Sequence, residues 1–294
     1  MICITVLTIK NINSKIAINR NIDKKAIAKM GFLNSIVSDV PVFLVDEELM
    51  DQISPPKKGL NRECVREILS HAFKSSDNNG LDEGYFSDEE VEKVDGTWGK
   101  MEECRKVLYP SIGVYMNSVM PALVNKYTTF EISGRAIFIC PERVKANSSS
   151  KSFDDIFLAV LFHEFVHAYI SSGYSSLKYY EQVIEESLAD AISFSRFTDK
   201  TELFNVSKFL SNPGRPAEYT GYVYWTELSR HYPLIEIVDN LKQNRIPLPV
   251  FSSIMPFVMP FVDPFILRHY YRHLLDVGKD QVLKYIAIRI LMHS

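Results

Sequence analysis

Residues 156–170 read IFLAVLFHEFVHAYI, apolar at nearly every position and on every face a helix would present. A helix that is apolar all round has to be buried. Its centre nevertheless holds three ionisable side chains, His163, Glu164 and His167. Burying polar groups without partners costs roughly 2–7 kcal/mol each even when they are neutral, so the fold must bring something to compensate them. A helix start is legible just upstream, where Ser152 is followed three residues later by Asp155, the spacing of a capping box.

His163 and His167 are four residues apart, so both imidazoles leave one helix face a turn apart. Two neutral imidazoles so placed can share one Zn²⁺ at about 2.0–2.1 Å. Glu164 lies roughly 100° further round, where its carboxylate can reach a water on an open metal position. Catalytic zinc needs a third protein ligand. Residues 177–197 (LKYYEQVIEESLADAISFSRF) predict a second helix carrying Glu181, Glu185, Glu186 and Asp190. Glu186 and Asp190 share a face, and Glu181 and Glu185 are expected on a neighbouring, solvated one.

Taken together, His163-Glu164-Phe165-Val166-His167 and, eighteen residues on, Glu186-Ser187-Leu188-Ala189-Asp190 resemble the gluzincin metallopeptidases, the thermolysin-like and aminopeptidase-like HExxH enzymes. The resemblance covers residues 130–195. It implies a zincin-like fold, zinc as cofactor, Glu164 as general base and Glu186 as third ligand. Asp190 would accept the outer N–H of a ligating imidazole, His163 for preference. The family's oxyanion donor is a Tyr or His well downstream, which points to the segment AEYTGYVYWTELSR and its neighbour: Tyr219 first, then His231. A metzincin would carry Gly and His where this chain has Ile170 and Gly173. The Gly-x-Met-x-Asn segment of the main aminopeptidase branch is missing, which favours an endopeptidase acting on peptide or protein substrates. In zincins a strand like Phe130–Cys140 edges the substrate cleft; an interior strand is the equal alternative.

The fold class expected is α+β: a small sheet, the buried HExxH helix and a helical C-terminal part. Residues 1–110 read as a cap or recognition region and 111–294 as the zincin-like catalytic domain. Short strands are expected at the N-terminus and over Val42–Val45, a break at Ser54-Pro55-Pro56, and a helix over Arg62–Phe73. Met101–Tyr127 predicts two helical pieces broken near Pro110 and Pro121. The loop Ser75–Gly84 has Ser75, Asp77 and Asn79 ahead of Gly80, but Phe86 stands where a calcium loop needs its bidentate glutamate.

Balanced charge, formally -3 over 294 residues, gives no electrostatic reason to expect nucleic acid as partner. Four scattered cysteines predict free thiols in a reducing compartment. No secretory signal is legible, so a cytoplasmic location is expected. The uncharged tract 246–262 is broken by four prolines, which argues against a spanning helix and leaves membrane-surface contact open. The rival to a peptidase is a zincin-fold protein that has lost hydrolysis and acts as a binding or regulatory module.

Overall fold

The computed structural model describes residues 7–8, 22–31, 40–73, 88–117, 134–170, 178–230, 233–235, 238 and 279–293. It is mixed α and β, mostly helical with a small sheet. Its contacts divide the chain into two compact units, and each unit draws segments from both sides of residue 110.

The first unit is built on a four-stranded sheet in the order β1-β2-β6-β5. Strands β1 (Leu7–Thr8), β2 (Val42–Leu44) and β6 (Ala136–Ile139) run parallel, and β5 (Gly113–Met116) is antiparallel to β6. Every residue of β2 and β6 is buried, as expected for inner strands covered on both faces. Strand β6 is thus interior, and β5 ends the described sheet. Phe43 and Phe138 stack 5.4 Å apart across β2 and β6. Their cluster takes in Leu49, Met50 and Ile53 of helix α2 (Glu47–Ile53). Asp46 caps α2 by accepting the Leu49 N–H at 2.8 Å, and Ser54 ends it ahead of the two prolines. Helix α1 (Ile22–Met30) also belongs here.

Helix α5 (Pro141–Ala146) follows β6 directly, and its buried Arg143 ties the unit together. The guanidinium donates to the Ser111 carbonyl at 2.8 Å and to Asp51 at 2.7 Å. Helix α6 (Phe153–Ile170) is the apolar segment that opened the sequence reading, and it is buried along almost its whole length. Its start differs in detail from a Ser152/Asp155 capping box. The Ser152 hydroxyl accepts the Ser149 N–H at 2.9 Å, while Asp155 accepts Asn205 of helix α8 (Lys200–Leu210) at 2.8 Å. The preceding turn is wound tightly enough that Ser149 takes the hydroxyl.

The second unit holds the two-stranded sheet of β3 (Lys57–Leu60) and β4 (Arg105–Tyr109), with helices α3 (Arg62–Phe73) and α4 (Asp88–Glu102). It also holds α9 (Ala217–Thr220), α10 (Tyr222–Leu228) and α11 (Lys279–Leu291). Trp225 is fully buried and donates its indole N–H to Ser187 at 2.8 Å. Gly221, at the joint between α9 and α10, lies hard against Ile290 of α11.

Three expectations change. The stretch 103–117 is not helical: α4 stops at Glu102 and two short strands follow, because Arg105–Tyr109 pairs with β3 and Gly113–Met116 with β6. The strand expected over 130–140 is described only from Ala136 to Ile139. Cys64 and Cys104 are not free thiols but a disulfide, their Cα atoms 5.7 Å apart across a sequence separation of 40. Folding of α3 beside α4 makes that pair, which spacing along the chain could not show. Cys140 remains free and buried, and burial pushes its thiol up to about 12. Among the described residues no helix is long and apolar enough to cross a membrane. The calcium-like loop and the tract 246–262 lie outside the described residues.

Candidate metal centre

Helix α6 supplies His163 and His167, and helix α7 (Tyr179–Phe194) supplies Glu186 and Asp190. The boundary between the two units falls inside α7, after Leu188. Because α7 is one continuous helix, Glu186 keeps a fixed relation to Asp190, one turn on. The C-terminal half of α7 is fastened to α6 by Ser193, whose hydroxyl donates to the Ala159 carbonyl at 2.7 Å.

A ligating atom from each of His163, His167 and Glu186 lies within 4.8 Å of the others. The two imidazoles meet edge-on, with their Nε2 atoms 2.9 Å apart. Nitrogens sharing one tetrahedral zinc at about 2.0–2.1 Å stand roughly 3.3 Å from each other, so a small opening of the pair would admit the ion. His163 Nδ1 lies 2.7 Å from Asp190 Oδ1, and both residues are buried. A neutral His163 donates its Nδ1–H to the carboxylate in that bond, which leaves Nε2 unprotonated toward the cluster, the tautomer a metal ligand needs. The three side chains form a donor set that could hold a metal ion.

Glu164 is 5% exposed, next to the ligands in sequence and on a different face of α6. His167 and Glu186 are half-buried and His163 is buried. Glu185, expected on a solvated face, is instead buried at 7% exposure, since α7 is packed round more of its circumference than its charge pattern suggested. Tyr219 is half-buried on α9. Tyr222 and Tyr224 are buried in α10, Tyr224 edge-on to Trp225 and to His293, which makes both packing residues. His231 lies outside the described residues.

Two neighbours escaped the sequence reading. Arg215 pairs with Asp190 Oδ2 at 3.0 Å and stacks over Phe209, its charge centre 4.7 Å from the ring centroid. It sits in a turn rich in Pro and Gly, where no periodicity marks a functional side chain. Glu218, beside Tyr219, is 3% exposed and accepts the Leu60 N–H at 3.1 Å and the Tyr179 hydroxyl at 3.0 Å. Burial lifts its carboxyl to about 7 against these bonds, and the charge of Glu186 adds to the rise.

No family model, curated protein or solved structure matches this chain.

Proposed function

We propose that this chain is a zinc-dependent peptidase, an endopeptidase of gluzincin type with a zincin-like fold. The observation that carries the reading is the convergence of His163, His167 and Glu186, with Asp190 holding His163 in the ligating tautomer. His163 Nε2, His167 Nε2 and a Glu186 carboxylate oxygen would hold the ion. Zinc bound there supplies Lewis acidity for a scissile carbonyl and lowers the pKa of water toward about 7. Glu164 takes the proton of the attacking water and returns it to the leaving amine. Its burial keeps that carboxylate out of bulk solvent. Tyr219 is the side chain assigned to the developing oxyanion, and His231 is the second candidate.

Extended substrate is read along β5. This strand ends the described sheet and packs beside α6, so a peptide added there would pair through main-chain bonds and be read as backbone more than as sequence. The edge role expected for Phe130–Cys140 passes to its antiparallel neighbour. The Cys64–Cys104 disulfide counts toward an oxidising compartment, against the reducing one expected from free thiols and against the cytoplasmic location expected from a missing signal.

The test is cleavage of a random peptide pool by wild type and Glu164→Gln, with zinc measured in both. Zinc near one equivalent in both proteins and hydrolysis only by wild type is the expected result. Equal cleavage by the two sinks the mechanism. Zinc in both with cleavage by neither favours the binding or regulatory module.

A further inference from the structure

Strand β5 passes so close to α6 that one of its residues has no room for a side chain. A Cβ placed on Gly113 would stand 2.7 Å from Val160 Cγ1, 2.8 Å from Glu164 Oε1 and 3.0 Å from Glu164 Cγ. Gly113 is not a turn residue: among the described residues the glycines with positive φ are Gly31 and Gly134. A glycine inside a strand forgoes packing and conformational stiffness, and it marks close approach of the backbone to something else. Here that something is the Val160/Glu164 face of α6, the two residues being one turn apart.

Neither wall can easily give way. Gly113 is in register with Ile139 of β6, and the Ile112 carbonyl accepts the Cys140 N–H at 2.9 Å. The next residue, Val114, packs on the sheet's core cluster. Val160 is buried and β-branched, so in a helix it is nearly confined to one χ1 rotamer. The Glu164 carboxylate, on three rotatable bonds, is the part that moves. We propose that Gly113 is a positioning residue for Glu164: the missing side chain is what lets the carboxylate stand beside the His163/His167 cluster instead of being turned away. This rests on the zinc-peptidase reading, which it deepens.

The test uses full-length chains loaded with Co²⁺, whose visible spectrum reports the metal site without any turnover. Two probes are titrated: acetohydroxamate, whose N–O–H can hydrogen-bond a carboxylate beside the metal, and 2-mercaptoethanol, which binds metal through sulfur alone. Gly113→Ala is expected to keep the cobalt spectrum and the thiol affinity within about twofold, as general markers of an intact ligand set. Its hydroxamate affinity should fall at least about tenfold and peptide hydrolysis about a hundredfold, as loss of one positioned acid–base group does. Gly113→Ala/Val160→Ala, which relieves the clash with Val160 and leaves the one with Glu164, should show the same losses. Unchanged hydroxamate affinity in Gly113→Ala, or its return in the double variant, overturns the proposal.

Should Gly113→Ala be too unstable to purify, Val160→Ala is added to it, and Glu164→Ala to that pair. Recovery of soluble protein only when Glu164 is also cut back supports the steric pairing, and failure of the triple variant overturns it. A wild type that binds cobalt and hydroxamate but cleaves no peptide removes the peptidase reading, while the hydroxamate comparison still decides the role of Gly113.

Discussion

Asp190 accepts the Nδ1 proton of His163 at 2.7 Å, while its second oxygen faces Arg215 at 3.0 Å. One oxygen is thus hydrogen-bonded to the imidazole and the other only ion-paired with the guanidinium, so turning the carboxylate would give up one contact or the other. Asp190→Asn keeps the shape but loses the charge that holds the His163 Nδ1–H. Zinc affinity should fall about 10–100-fold, as on loss of a partner that orients a ligating histidine. Competition with a chromophoric chelator measures it. An affinity equal to wild type would mean that His163 is oriented without Asp190.

Glu218 should impose a pH dependence on stability. Its folded carboxyl titrates at about 7, mainly through burial, against about 4.3 in an unfolded chain. Between those values the folded state holds a proton that the unfolded state has released. Stability then falls as pH rises through this window, and the full penalty is present above about 7. Glu218→Gln removes the ionisation, and its amide can still meet Leu60 N–H and the Tyr179 hydroxyl. In metal-free protein the variant should match wild type near pH 4.5 and exceed it near pH 8, by up to about 3–4 kcal/mol. Urea unfolding at the two pH values decides it; parallel curves at both would show that Glu218 is ionised in the fold throughout.

Gly221 should be the position in α9–α10 least tolerant of a methyl group. A Cβ there would meet Ile290 Cγ2 at 2.1 Å and Ser187 Cβ at 3.2 Å. Gly221→Ala should destabilise by about 1–3 kcal/mol, the usual range for overpacking. Ile290→Ala in the same chain should recover part of that loss, because it removes the atom struck first. Melting curves of the two single variants and the double give the coupling; strictly additive losses would place the strain elsewhere.

The parts of this molecule that could be read in advance were those with many residues voting the same way. Helix α3 spans Arg62–Phe73 as its apolar spacing required, and α6 and α7 lie where long helical patterns placed them. Helical spacing set His163 with His167 and Glu186 with Asp190 on shared faces, and only the gluzincin resemblance brought the two pairs to one site. Strands β4 and β5 could not be phased. Each has only four or five residues, too few to separate alternation from helical periodicity, and pairing with β3 and β6 decides them. Gly113, Arg215 and the Cys64–Cys104 pair matter through neighbours distant in sequence, so no local pattern announces them.

The disulfide gives the last prediction. It joins the first turn of α3 to the residue before β4, and Asn61 N–H donates to the Cys104 carbonyl at 2.9 Å in the same place. Closing a loop of this length should contribute about 4 kcal/mol by restricting the unfolded chain. Cys104 is fully buried and Cys64 only half-buried, so reductant reaches the bond from the Cys64 side. Dithiothreitol should lower Tm by several degrees in wild type and leave Cys64→Ser/Cys104→Ser unmoved. Cys140, buried and with its thiol pushed up to about 12, should resist alkylation in the folded protein under both conditions. Mass spectrometry after native and denaturing alkylation reads all three sites at once. Alkylation of Cys64 and Cys104 in the native, unreduced protein would show the pair to be open and cancel the stabilisation assigned to it.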